Sequence, residues 1–280
     1  MSDIDRIKLP IGFMDSGLGG LSVLAEAVKE MPGEDFLYFG DSANAPYGVR
    51  PGEEIKALTY RVVDMLLERG IKGLAVACNT ATSAAVRSLR EDHPDLPIVG
   101  IEPAIKPAVE KNKGGRIIVL ATPMTIRQEK YHRLVERYRG GTDLVSVPCP
   151  GLMEFVEEGD PDSPELLGYF KEHLSPCLIP GTETIVLGCT HYPFIKGQLE
   201  RFLREETKDP VEIIDGSLGT AKELKRRLGE KGLLKTGPEK GRITIENSEK
   251  GDEMIKRSWL LLSRITGEED IENGGGAASG

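Results

Sequence analysis

The sequence predicts an α/β fold made of two pseudo-twofold-related α/β domains with mainly parallel sheets and an active site in the cleft between them. Apolar runs of four to six residues alternate with amphipathic stretches of ten to fifteen, the pattern of successive βα units. The layout also recurs. Val76-Ala77-Cys78-Asn79-Thr80 follows the apolar pair Leu74-Ala75, and Leu187-Gly188-Cys189-Thr190-His191 follows Thr184-Ile185-Val186, with Cys189 lying 111 residues beyond Cys78. A second pair of apolar runs ends at Asp15 and at Thr122, 107 residues apart, so an internal duplication is expected.

Taken in order, strands are expected over 11–14, 36–39, 74–77, 98–101, 117–121, 144–147, 185–187, 211–214 and 243–245, where the apolar runs are short and bounded by turn formers. Helices are expected over 21–30, 53–68, 80–90, 125–138, 164–173, 194–204, 219–230 and 252–265, where the apolar positions follow a helical period. The first domain takes 1–101 and 215–266, and the second takes 102–214. The tail 267–280 ends Gly-Gly-Gly-Ala-Ala-Ser-Gly, which has too little apolar content to offset the entropy of ordering it, and is expected to be disordered. Trp259 and the following leucines are expected to pack the last helix onto a core.

Composition narrows the function classes. The chain has 280 residues, 39% hydrophobic and 29% charged, with no apolar run near the roughly 20 residues that span a bilayer, so no membrane partner is expected. A net charge of −9 argues against a nucleic-acid surface, and the basic residues between Lys222 and Arg227 are expected to form a solvated helix face. The charged stretch from Met1 to Pro10 is unlike an export signal, so the cytoplasm is expected, where Cys78, Cys149, Cys177 and Cys189 would be free thiols. No residues are spaced as a metal site.

Asp15-Ser16-Gly17-Leu18-Gly19-Gly20 is a Gly-rich turn from strand to helix, suited to cradling an anion on free amides or to a tight connection alone. An acidic residue ahead of the glycines would repel a pyrophosphate, so a small substrate fits better than a dinucleotide. Asp15 could cap the helix, hold an ammonium group or orient a catalytic group. Phe39 to Gly48 is a second strand-to-loop passage, placed to offer amides and the Tyr47 hydroxyl to a ligand.

Each of Cys78 and Cys189 ends a strand and starts a helix, whose N-terminal field is expected to lower the thiol pKa. Asn79, Thr80, Thr190 and His191 would supply donors beside the two sulfurs. Cys149 and Cys177 have no such setting and are expected to be inert, and His93, His132 and His173 to be structural or exposed. Two thiols from two halves suit the inversion of a carbon centre. One removes a proton from one face while the other returns a proton to the opposite face.

Asp15-Ser16-Gly17-x-Gly19-Gly20-Leu21, Ala45-Pro46-Tyr47-Gly48, Cys78-Asn79-Thr80-Ala81 and Gly188-Cys189-Thr190-His191-Tyr192-Pro193 stand in the order and approximate spacing of the glutamate racemases. The chain resembles that family, within the aspartate/glutamate racemase superfamily, from about Ile11 to about Ile265. The resemblance implies cofactor-independent interconversion of L- and D-glutamate, supplying D-glutamate for peptidoglycan. It implies Cys78 and Cys189 as the two bases, with Asp15 and His191 assisting them. A further glutamate of the family matches best to Glu157, with Glu154 and Glu158 close by. Substrate contacts carry over to Asp15, Ser16, Pro46, Tyr47, Gly48, Asn79, Thr80, Thr190 and His191, with Thr122 and Thr125 as lesser candidates.

The chain departs from the family at Ala121-Thr122-Pro123-Met124-Thr125, where a Gly-Thr-x-Gly-Thr run is common, and at Gln128, where a serine is common. These affect the expected shape of the second domain's wall. About ten residues precede the first strand, so activation by a cell-wall precursor, which the family couples to an N-terminal extension, is not expected. No pyridoxal cofactor is expected. The alternatives are racemisation of aspartate or another amino acid, a racemase-like protein that binds DNA gyrase, and a thiol-redox protein. A homodimer is the assembly that the resemblance leaves open.

Overall fold

The computed structural model describes residues 3–157 and 163–267. Glu158 and the expected disordered tail beyond Gly267 lie outside the described residues. In chain order the described elements are α1 (Asp3–Ile7), β1 (Ile11–Asp15), α2 (Leu21–Glu30), β2 (Phe36–Gly40), α3 (Gly52–Glu68), β3 (Gly73–Val76), α4 (Asn79–Asp92), β4 (Ile98–Gly100) and α5 (Ile105–Lys111). They continue with β5 (Arg116–Ala121), α6 (Pro123–Arg127), α7 (Glu129–Arg139), β6 (Leu144–Pro148), α8 (Glu154–Glu157), α9 (Pro164–His173), β7 (Thr182–Leu187), α10 (Lys196–Glu206), β8 (Glu212–Asp215), α11 (Ser217–Glu230), β9 (Ile243–Asn247) and α12 (Glu253–Thr266).

The chain divides into two compact units, one formed by Met1–Ile101 with the described residues from Ser217 on, the other by Glu102–Gly216. The first unit holds a parallel sheet in the order β4-β3-β1-β2-β9, and the second a parallel sheet in the order β6-β5-β7-β8. Read in the other direction, β8-β7-β5-β6 repeats β4-β3-β1-β2 strand for strand, and β9 is the added edge. Burial on both faces explains the unbroken apolar runs: all five residues of β1 are buried, as are all four of β3.

Register makes the duplication exact to the residue. Met14 pairs with Val76 in the first sheet, and Leu120 with Leu187 in the second. The next amides close the same bond, Ala77 N–H to Met14 O at 2.8 Å and Gly188 N–H to Leu120 O at 2.7 Å. Cys189 is therefore the counterpart of Cys78. Counting from the same pairs, Ala121 corresponds to Asp15, and Thr122 to Ser16, one residue away from the Asp15–Thr122 match read from sequence.

Several helical segments differ from the sequence reading, in which α1, α5 and α8 do not appear. The helix expected over 125–138 is broken at Gln128, whose extended backbone (φ −73°, ψ 133°) caps α7. The amides of Tyr131 and His132 both donate to its carbonyl, at 3.0 and 3.2 Å. α5 was hidden by Pro103 and Pro107. Pro107 is the third residue of that helix, in the first turn, whose N–H groups have no partner within the helix, so a missing one costs little.

Away from the carboxyl ends of the strands, the first unit buries an ion pair. Lys72 Nζ contacts Glu34 and donates to Ile7 O at 2.7 Å, and Glu34 Oε1 accepts the Lys235 amide at 2.7 Å. A buried charge needs such partners, and the pair fastens α1 and the approach to β9 onto the sheet.

Candidate active site

In the first unit, β1 and β3 end side by side and deliver Asp15, Ser16 and Cys78 to the carboxyl edge of the sheet, where parallel α/β sheets place their ligands. Asp15 is buried, and its Oδ2 accepts the Gly17 amide at 3.0 Å, which folds the Gly-rich turn around the carboxylate. Tyr38 O–H donates to Gly17 O at 2.8 Å from the neighbouring strand. Close approach explains Gly20. A Cβ there would stand 2.7 Å from Asp15 Cβ and 2.8 Å from Ala77 Cβ.

Cys78 is the N-cap of α4, its sulfur 3.5 Å from the Ala81 amide and 3.4 Å from Ser16 Oγ. The helix field was expected to lower this thiol. Instead it is pushed up to about 11, by burial first and then by the Asp15 carboxylate, which together outweigh the hydrogen bonds from Ser16 and from the amides of Ala81 and Thr80. Cys78 is thus a neutral thiol at ordinary pH, able to give a proton.

Pro46 follows a cis peptide from Ala45 and is exposed, while Tyr47 turns inward and is buried. Tyr47 O–H donates to Asp41 Oδ2 at 2.7 Å, and Asn44 Nδ2 donates to Asp41 Oδ1 at 2.8 Å. Burial and then Asp41 hold the Tyr47 phenol well above its ordinary pKa, with Cys78 and Asp15 close enough to add to the effect. Tyr47 therefore remains a hydroxyl donor. Asp41 was missed from sequence, although its position just after a strand, like that of Asp15, was the available signal. Gly48, Asn79 and Thr80 are partly exposed at the same edge.

In the second unit, β5 and β7 deliver Thr122 and Cys189 in the same way. Gly188 has no room for a side chain, because a Cβ would stand 2.7 Å from Leu120 O. Beyond it the two halves differ. Cys78 begins a 14-residue α-helix, whereas Cys189 leads into a 3₁₀ turn, Tyr192–Ile195, so the expectation that both thiols cap α-helices holds only for the first.

His191 takes the place of a helix cap beside this sulfur, with Nδ1 3.6 Å from Cys189 Sγ and Nε2 2.6 Å from Glu157 Oε1. Burial alone would lower the imidazole, but hydrogen bonds and charge from Cys189 and Glu157 overcome it and hold His191 well above its ordinary pKa. Thr190 is buried next to it. Thr122 and Thr125 face each other, Oγ1 to Oγ1 at 2.9 Å, with Thr122 also accepting the Thr125 amide at 3.1 Å as the cap of α6. Cys149 is buried, which pushes its thiol up to about 12, and His173 stacks on Tyr169 at 4.0 Å.

Each unit thus presents a thiol at an equivalent strand end, one beside a carboxylate and hydroxyl, the other beside a histidine and its glutamate. This is the equipment of an acid–base enzyme acting on carbon. The sequence pattern of the Asp/Glu/Hydantoin racemase family matches residues 11–224, and the chain belongs to that family. It is 51% identical over 263 residues to the glutamate racemase of Clostridium novyi (strain NT), covering 94% of this chain and all of that one. Among solved structures, it matches the glutamate racemase from Thermus thermophilus in complex with beta-chloro-D-alanine with a TM-score of 0.74 and 34% identity, over 92% of this chain and 93% of that one. The glutamate racemase from Francisella tularensis in complex with D-glutamate gives a TM-score of 0.77 and 28% identity, over 92% and 94%.

Among the described residues, no helix is long and apolar enough to cross a membrane.

Proposed function

We propose that this protein interconverts L- and D-glutamate without a cofactor, by a two-base reaction of Cys78 and Cys189 that supplies D-glutamate for peptidoglycan. The observation that carries the reading is the register equivalence of the two cysteines, one at the same strand end in each half of a duplicated sheet.

In one direction a thiolate takes the α-proton from one face of the substrate and the opposite thiol donates its own proton to the other face. The products are the opposite enantiomer and a pair of sulfurs with their protonation states exchanged. The two environments suit this exchange. Asp15 and burial keep Cys78 protonated until the substrate needs the proton. His191, whose imidazole Cys189 and Glu157 hold well above its ordinary pKa, stands within reach of Cys189 Sγ and can pass a proton to it or neutralise it. The amides of the Gly-rich turn and of the start of α4, with the hydroxyls of Ser16, Thr80 and Thr190, are the donors that would hold the substrate carboxylates as negative charge builds on the α-carbon, while the Tyr47 hydroxyl, whose proton goes to Asp41, lines the same edge. Thr122 and Thr125 bind each other, which makes them secondary to this set.

Circular dichroism of L-glutamate and, separately, D-glutamate with enzyme and no added cofactor tests this. Both signals should decay to zero, and L-aspartate should be turned over far more slowly. A stable glutamate signal with a decaying aspartate signal would reassign the substrate. A homodimer is tested by light scattering, which should give about twice the 30.6 kDa chain mass.

A further inference from the structure

Glu157 sits on a helix of four residues, α8, too short to hold its own shape, since one helical turn fixes more dihedrals than it returns in hydrogen bonds. Its position against His191 depends on its surroundings, among them what holds the chain between β6 and α8. Two successive carbonyls of that stretch are bound by tyrosine hydroxyls. Tyr169 O–H donates to Pro150 O at 2.9 Å, and Tyr192 O–H donates to Cys149 O over a longer 3.4 Å. The Cys149 amide is fixed in turn to Ala121 O at 2.9 Å, at the end of β5.

Tyr169 also meets α8 itself. Its ring packs edge-on against Phe155 at 5.9 Å and 68°, two residues before Glu157. Its own orientation is set from α9, where the His173 ring lies parallel to it at 4.0 Å and His173 Nδ1 is 3.1 Å from Tyr169 O. One side chain on a full-length helix therefore grips both ends of the segment that carries Glu157.

We propose that Tyr169 is a positioning residue for the Glu157–His191 pair, acting through the Pro150 carbonyl and the Phe155 ring. This rests on the reading of Glu157 and His191 as the support of Cys189. The consequence is one-sided. Loosening Glu157 weakens proton transfer at Cys189 and leaves transfer at Cys78 untouched.

The test compares wild type, Tyr169→Phe and Glu157→Gln, measuring kcat and KM in both directions and the isotope effect on kcat/KM for each enantiomer deuterated at the α-carbon. Tyr169→Phe keeps the ring and removes the hydroxyl. It should lower kcat by about 3- to 10-fold, as for loss of one hydrogen bond, with KM changed by less than about twofold. The isotope effect should rise for one enantiomer only, the same one as in Glu157→Gln, because only the side served by Glu157 becomes slower at breaking the C–H bond. If Glu157→Gln is one-sided and Tyr169→Phe raises neither isotope effect, or raises both alike, the role of Tyr169 is refuted. If Glu157→Gln is not one-sided, the reading of Glu157 fails and this proposal fails with it. Should Tyr169→Phe prove too unstable to assay, Phe155→Leu carries the same expectation and the same refutation.

Discussion

His191 Nε2 lies 2.6 Å from Glu157 Oε1 while Nδ1 of the same ring lies 3.6 Å from Cys189 Sγ, so the imidazole bridges a carboxylate and a thiol. The glutamate fixes which nitrogen carries a proton in the neutral ring, leaving Nδ1 facing sulfur. A ring held that way can shuttle a proton without turning. His191→Asn should lower kcat by about 10²-fold, the low end of the general acid–base range, and Glu157→Gln by less. Steady-state rates from both enantiomers check this.

The same bridge makes stability depend on pH. Because His191 titrates well above its ordinary value of 6.5 in the folded chain, it holds a proton that the unfolded chain would release. Its contribution is complete below 6.5 and is lost as pH rises through the folded value. The unfolding free-energy difference between wild type and His191→Gln should therefore shrink from pH 6 upward, measured by urea denaturation at several pH values.

Cys78 offers a second titration. With its thiol pushed up to about 11 by burial and Asp15, alkylation of Cys78 by iodoacetamide should be slow at neutral pH and climb steeply only beyond the ordinary thiol value of 9.0. Asp15→Asn removes the second cause and should shift that rise to lower pH. Peptide mass spectrometry after timed alkylation reads it directly.

Gly20 is required by close approach, since its backbone does not occupy the left-handed region (φ −62°). Gly20→Ala would push a methyl group against Asp15 Cβ and Ala77 Cβ, neither of which can swing away. Overpacking of this kind costs about 1–3 kcal/mol, and the displaced Asp15 should reduce kcat as well. Thermal unfolding and rate assays on one preparation separate the two effects.

Much of this was legible in the sequence. The central strands β1, β3, β5 and β7 are short, buried on both faces and bounded by turn formers, so they stand out as apolar runs whatever their neighbours do. The repeat of Cys78 at Cys189 was visible because both follow such runs. Its register was not, because hydrogen bonding between β1 and β3 and between β5 and β7 decides whether Thr122 matches Asp15 or Ser16. The break at Gln128 was missed because the residues on either side keep a helical period. Pro103 and Pro107 concealed α5, since proline is read as a breaker until its place in the first turn is known. The thiol of Cys78 was expected to fall on the strength of its helix terminus, but burial depth and the nearness of Asp15 are tertiary facts that reverse the sign. Tyr169 acts through contacts with Pro150 and Phe155 for which the sequence holds no local pattern.

The central claim is that two sulfurs do the work of one inversion, and deuterium tracing tests it most directly. With L-glutamate in D₂O, sampled early, deuterium should appear at the α-carbon of the D-glutamate formed and scarcely at all in the recovered L-glutamate, with the reverse starting from D-glutamate. Cys78→Ala and Cys189→Ala should each abolish the conversion. Equal early labelling of both enantiomers, or racemisation that survives loss of either cysteine, would contradict a two-base mechanism.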